Sequence, residues 1–515
     1  MPVHDDALLR TALEADPPTL DAMISDDPNT EAISYLTSGF LYRVDPYGEL
    51  LPECATIIPT KSNGGISSDG VTITYHLRRG LRWHDGSNFT AADVAFSFHE
   101  AMSPKVNVPD TSGFTDIQSV RVLDPYQVQL RLKRPNSQAV QTLFSMAAND
   151  PYPLLPEHLL RSIDLNTASA FNAHPIGIGP FSVHSWARGD HLVLTANRSY
   201  FRGRPKLDSI EVRIVPDEAA LGTLWRSGAL DLLEASGARV LVETLARSPN
   251  TRLIYFDQNR FQYILFNHRH VLGDPTLRAA LIAGLDREQI GTKTLGPLYL
   301  RGDGDRLRGH FAYDASIKQP PFDPKRAARL LDSAGWAQRG AIRRKNGQPL
   351  TLVVATSTSK LSRDKSIIVQ RQLNQLGIDA TIKSFPSTIL WAPRSAGGIL
   401  ANGNFDLFIS EWYPGGVHDD SYLFRCDARP PNGENFSEIC DPQIDRASAV
   451  ELTTSNSATE AAADRQILHR LITNSDIVFL GFMRGAVALR PGLQHYIPSE
   501  VVRPGWNVWQ WAWKR

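Results

Sequence analysis

"RRGLRWHDGSNFTAADVAFSFHEAM", residues 78–102, sets His84 beside Asp85, a Thr90-Ala91-Ala92-Asp93 tetrad, and His99 beside Glu100. Either these groups converge on chemistry or the stretch is a structural unit. Local physics favours the second reading. Asp85-Gly86 pairs a side-chain acceptor with a residue free to take positive φ, the ingredients of a tight turn. Thr90 and Asp93 have capping-box spacing: the hydroxyl serves a first-turn N–H, and the carboxylate suits the positive helix end. Val94, Phe98 and Ala101 recur at helical spacing as a core stripe, and His99 falls about 100° from Phe98. Upstream, "VTITYHLR" alternates Val71, Ile73, Tyr75 and Leu77 with Thr72, Thr74, His76 and Arg78, a half-buried strand. His76, His84 and His99 therefore lie on three elements, and a shared metal would need a tertiary coincidence. "FHEAMS" places Ser103 where a zincin helix carries its second His. The expected unit is strand, tight turn, capped helix.

The same grammar continues along the chain. "VRVLDPYQVQLRL" is a hairpin turning at Asp124-Pro125, with Val128, Leu130 and Leu132 alternating afterwards. "DSIEVRIV" is a strand through Ile210, Val212 and Ile214, followed by a helix capped by Asp217. "FDPKRAARLLDSAGW" starts a helix with Asp323 as cap and Pro324 at its first position, and stops at Gly335. "SIIVQRQLNQLGIDATI" runs as a helix to Gly377 and then as a strand. "FDLFIS" and "VFLGF" fit buried strands. Helices covering a mixed sheet in each half give an α/β fold class.

Composition bounds function by exclusion. The chain has 515 residues, enough for two or three domains, and 54 Lys and Arg against 54 Asp and Glu. No net field draws it to nucleic acid or acidic lipid. No apolar run approaches the roughly 18 residues of a membrane span. The first residues show no basic and apolar leader, so either the protein is cytoplasmic or a leader precedes them. There is no phosphate loop, HExxH or GxSxG. "GDGDRLRG" from Gly302 lacks calcium-loop spacing and is expected to be a surface turn. Of Cys54, Cys426 and Cys440, the last two bracket a turn-rich loop; they are either a disulfide or two unrelated buried thiols. A bond there would contribute on the order of 3 kcal/mol.

Several segments carry a family resemblance. "YHLRRGLRWHDGSNFTAADVAFSFHEAM" closely resembles the signature of extracellular solute-binding proteins of the dipeptide, oligopeptide and nickel ABC-importer class. "ALEADPPTLDA" looks like that family's first strand and loop, and "PIGIGPFSVHSW" like its V-G-T-G-P-Y segment, with Ile178 where Thr is common. "YILFNHRHVLGDPTLRAALIAGLDREQI" and "FDPKRAARLLDSAGW" are similar to two further family patterns. The resemblance implies a bilobed class II periplasmic-binding-protein fold with an extra subdomain. Lobe one would be residues 1–258 with 482–515, the extra subdomain about 45–165, and lobe two 259–481.

It also implies a function: a receptor that captures a peptide or peptide-like solute between two lobes and delivers it to an ABC permease. No catalytic residue, cofactor, metal or nucleic acid is involved. The protein would be a monomer in the periplasm or outside the cell, meeting the membrane only through the permease or a removed or lipidated leader. In peptide-binding relatives an Asp three residues after the Trp of this strand anchors the ligand amine; here "EWYPGGVHDD" has Gly415. Glu411, Asp419 or Asp420 could substitute. Arg394 is the nearest candidate for a carboxylate-binding Arg, and Trp391, Trp412 and Tyr413 are expected aromatic contacts. The resemblance further implies a Cys426–Cys440 disulfide. Nickel chelates, saccharides or opine-like conjugates are alternative ligands; a cytoplasmic sensor and a hydrolase are alternative classes.

Overall fold

The computed structural model describes residues 7–46, 48–111, 113–136, 138–148, 151–412, 421–454, 456–498 and 505–514. The opening stretch is the expected unit. Thr72–His76 pairs antiparallel with Gln127–Leu132, which pairs in turn with Ile117–Asp124. Helix Ala91–Met102 begins with the capping box: Asp93 Oδ2 accepts the Thr90 N–H at 2.8 Å, and Thr90 Oγ1 accepts the Ala92 N–H at 3.3 Å. Such a cap is worth about 1 kcal/mol. Val94, Phe98 and Ala101 are fully buried, and Phe98 meets Phe144 edge-on with centroids 4.6 Å apart. Burying a Phe contributes roughly 1.5–3 kcal/mol, so packing outweighs the cap in holding this helix. His99 is exposed.

His84 is a fastener. Its Nδ1 accepts the Gly177 N–H at 3.2 Å, so its Nε2 carries the proton and donates to the Gly179 carbonyl at 3.0 Å. Burial lowers its pKa and keeps the ring neutral. The two glycines are required by a close approach. A Cβ on Gly177 would stand 2.0 Å from the Thr37 carbonyl oxygen, and one on Gly179 2.4 Å from the Thr37 carbonyl carbon. "RWHDG" and "PIGIGP" are thus two halves of one joint. Asp85 pairs instead with His158 at 2.7 Å.

The chain divides into two compact units, the described residues of 1–256 with 485–515 and those of 257–412 with 421–484. In the first, a second sheet runs in the order Leu8–Leu13, Ser209–Ile214, His191–Ala196, Phe181–Ala187. Its core includes Ile210, Val212, Trp511 and Trp513. Arg10 is fixed there by the buried Asp231, with Nε at 2.9 Å from Oδ2.

The second unit is built on strands Asp379–Phe385, Thr351–Ser357, Leu407–Trp412 and the later part of Arg252–Phe266. Thr351–Ser357 is parallel to both its neighbours, and Leu407–Trp412 is antiparallel to Arg252–Phe266. Leu277, Leu281, Ala327, Leu331, Val369 and Leu373, from three helices, cover one face. Ile444, Ile467 and Leu471, from two others, belong to the core on the opposite face. The caps are those the sequence supplies: Asp323 accepts from Arg326 N, with Pro324 opening the helix, and Gly335 and Gly377 take positive φ beyond helix ends.

One expectation fails here. "GDGDRLRG" is not a surface turn: Asp305 and Arg306 are buried. Arg306 Nε donates to Asp464 Oδ2 at 2.6 Å, and its Nη1 lies 3.1 Å from Asp305 Oδ2. A guanidinium matched by carboxylates can enter a core that would exclude it alone.

Candidate functional site

The Leu407–Trp412 strand alternates, placing Leu407, Ile409 and Glu411 on one face and Phe408, Ser410 and Trp412 on the other. Its register sets Glu411 opposite Gln262 and Trp412 opposite Phe261. Two expected contacts, adjacent in sequence, therefore serve different faces of the sheet.

On the Glu411 face, Arg260 and Gln262 project from the neighbouring strand and helix Lys360–Gln375 supplies Lys365. Glu411 accepts from Arg260 Nη2, and its Oε2 accepts from Gln262 Nε2 at 2.8 Å. Lys365 Nζ donates to Gln262 Oε1 and stands 4.0 Å from Glu411 Oε2. Only 3% of the Lys365 side chain is exposed, against 35% for Arg260 and 27% for Glu411. The cluster is therefore open at Arg260 and closed at Lys365. Burial, reinforced by repulsion from Arg260, pushes the Lys365 ammonium down to about 7.

On the opposite face, the Trp412 ring lies 5.4 Å from Tyr422. Trp412 Nε1 is buried and finds no acceptor among the described residues. Leaving such a donor unmet costs about 1–3 kcal/mol. Trp391 packs edge-on against Phe408 and Phe436, with centroids at 5.5 and 5.7 Å, and stays partly exposed. Arg394 is not brought to this end. Its Nε donates to the Ala401 carbonyl at 3.0 Å, and it lies near Arg269, beyond the far end of the strand pair, whose pKa is lowered by burial and then by the charge of Arg394. Tyr413, Gly415, Asp419 and Asp420 lie outside the described residues.

The sequence reading missed Arg260, Gln262 and Lys365. A signal existed for each. "NRFQY" alternates polar Arg260 and Gln262 with Phe261 and Tyr263, and Lys365 stands four residues before the buried Val369, a charge on an apolar stripe.

At the other end of these strands, Arg278, His268 and Asp476 border a cavity of about 300 Å³ that Asp441 and Cys440 also line. Burial raises Asp476 to about 6, and burial with the nearby Arg278 lowers His268 to about 3. Cys440 is disulfide-bonded to Cys426, as the resemblance implies, and Cys54 is a buried free thiol. Among the described residues no group of His, Cys, Asp and Glu could hold a metal ion, and no helix is long and apolar enough to cross a membrane.

Residues 59–433 match the family described as "Bacterial extracellular solute-binding proteins, family 5 Middle", and the chain belongs to that family. It is 24% identical over 510 residues to the oligopeptide-binding protein AppA of Bacillus subtilis (strain 168), covering 96% of this chain and 90% of AppA. Two solved structures share its α/β fold, that of the periplasmic binding proteins. NikA from Brucella suis in complex with Fe(III)-EDTA superposes with a TM-score of 0.85, at 22% identity over 99% of this chain and 100% of that one. The ABC transporter-associated periplasmic binding protein DppA from Helicobacter pylori, in complex with the peptide STSA, gives 0.78 at 19% identity, over 99% and 98%.

Proposed function

We propose that this chain is the substrate-binding receptor of an ABC importer, capturing a peptide or peptide-like solute and delivering it to the permease. Family membership across residues 59–433 carries the reading. The names of AppA and DppA support peptide as the solute class. The receptor works outside the cytoplasmic membrane as a monomer and meets the membrane through the permease. It makes and breaks no covalent bond: ligand contacts shift a conformational equilibrium, and the permease reads the result.

The solute meets the end of the Leu407–Trp412 strand. A ligand carbonyl there would satisfy the indole N–H of Trp412, and Tyr413, Asp419, Asp420 and Trp391 are further candidate contacts. Glu411 is a weaker amine anchor than its sequence position suggests, because Arg260 and Gln262 already occupy its carboxylate. A pool of short peptides should raise the melting temperature; saturation at a hundredfold over Kd corresponds to about 2.7 kcal/mol. Trp412→Phe keeps the ring and removes the donor, so affinity should fall about five- to tenfold, the worth of about one hydrogen bond. A metal chelate that stabilises the protein where every peptide fails would overturn the reading.

A further inference from the structure

Helix Pro324–Ser333 is charged against its own dipole. Lys325 and Arg326 stand in its first turn, where the bare N–H groups disfavour a cation, and its one acid, Asp332, stands in the last. Helices Glu218–Ser227, Arg287–Leu295 and Ser457–Thr473 follow the favourable order, an acid first and a base last. Lys325 also faces Arg329 at i,i+4, a spacing at which like charges repel. Arg239 with Glu243 and Lys360 with Asp364 use the same spacing for opposite charges. Asp332 has a structural role, since it accepts from the buried Arg343 at 2.6 Å. The three cations have none: they are exposed, and among the described residues no carboxylate pairs with them. Their arrangement costs the helix stability that the fold does not return.

The ribbon joined to this helix carries the same sign. Ala337–Arg339 pairs antiparallel with Ile342–Lys345, setting Ala337 opposite Arg344 and Arg339 opposite Ile342. Arg343 takes the inner side, where it also donates to the Trp336 carbonyl at 2.8 Å. Arg339 and Arg344 therefore share the outer side and are exposed, with Ile342 half-buried between them. Helix Pro275–Gly284, packed against Pro324–Ser333, brings no acid to offset these charges. Directly before the Asp323 cap, Phe322 is 47% exposed. We propose that this basic face rests on an anionic phospholipid surface, a weak direct hold on the membrane in addition to docking on the permease. Exposed cations beside an exposed aromatic suit the headgroup layer, where phosphates meet the cations and the ring enters the acyl boundary. A partner that met the cations alone would leave Phe322 in water. The attraction is local, because the whole chain carries no net charge. Each cation that reaches the surface strengthens binding about fivefold, and salt screens it beyond about 10 Å.

Co-sedimentation of the full chain with lipid vesicles tests this. Vesicles made of equal parts phosphatidylglycerol and phosphatidylcholine should carry the protein down at low salt, and pure phosphatidylcholine should not. Lys325→Glu combined with Arg329→Glu should weaken binding to the anionic vesicles about tenfold or more, with melting temperature and peptide affinity unchanged. The same reversal at Lys105 and Arg161, exposed cations of the other unit, should leave vesicle binding as it was. Phe322→Ser should remove the part of the binding that survives high salt. Equal sedimentation with neutral vesicles, none with either kind, or equal losses in the two reversed variants overturns the inference. Should the vesicles not bind while the Lys325 and Arg329 variant loses permease-dependent uptake, the face meets the permease instead of lipid. Every one of these outcomes leaves the receptor reading intact, because that reading stands on solute binding.

Discussion

At one end of the Leu407–Trp412 strand, Lys365 is buried with an amide oxygen as its direct acceptor; at the other, Arg278 is buried just as deeply and lacks nothing. Arg278 donates to the carbonyls of Leu272, Gly273, Asn474 and Ser475 and to the carboxylate of Asp476. Both ends have buried charge, a perturbed carboxylate or ammonium, and an opening nearby. The difference is saturation. A guanidinium whose N–H groups are all matched locks helix Pro275–Gly284 to the loop before Ile477, and a ligand could add little to it. An ammonium that meets no carboxylate closer than 4.0 Å among the described residues would gain from one. Burial and shifted pKa values mark both places; unmet hydrogen-bonding and charge demand separates a candidate site from a bolt.

The comparison breaks most readily at the bolt. Arg278→Met should cost about 3–5 kcal/mol, because it strands Asp476 without its partner. Chemical denaturation would show the loss, while solute affinity of the folded fraction stays unchanged; a loss of affinity without a loss of stability would reverse the roles assigned to the two ends. Next in size is the disulfide that closes the loop beside the same cavity. Replacing Cys426 and Cys440 by Ser should lower stability by about 3 kcal/mol. Unreduced, denatured protein should titrate a single thiol, Cys54; three would contradict the bond.

Lys365→Met probes the other end and has the opposite sign. A lysine held at about 7 in the fold, against 10.5 unfolded, contributes stability that is complete above 10.5 and is lost as pH falls through about 7. The unaltered protein should therefore gain stability from pH 7 to 9 relative to the variant, and parallel melting curves would count against a buried, discharged lysine. The smallest effect is at His268. Its folded value of about 3 gives stability present above 6.5 and lost as pH falls, whereas Asp476 at about 6 gives stability present below 3.8 and lost as pH rises. The two slopes oppose one another between roughly pH 4 and 6. His268→Asn should remove one of them, so that the variant loses stability between these values where the unaltered protein is nearly flat.

Local features of this fold were legible in the sequence because their causes are local. The capping box at Thr90, the Asp124-Pro125 turn, the Asp323-Pro324 helix start and the Gly377 stop each depend on a few neighbouring residues. The identity of the family was legible too, through several spaced motifs. Features set by distant partners were not. His84 is fastened to residues more than ninety positions away, and Arg306 enters the core because Asp464 meets it 158 residues on. Glu411 is an unremarkable carboxylate in "ISEWY" until the strand register brings Gln262 to it from 149 residues upstream. Alternation told which face each strand residue takes, but not that Lys365 would descend from a helix onto the Glu411 face.

Hydrogen exchange measured with and without the pool of short peptides tests the assignment most directly. The account predicts slower exchange at residues 259–263 and 410–412 and no change at 268–278 and 474–476. Protection confined to the Arg278–Asp476 end, with the Glu411 end untouched, would contradict it.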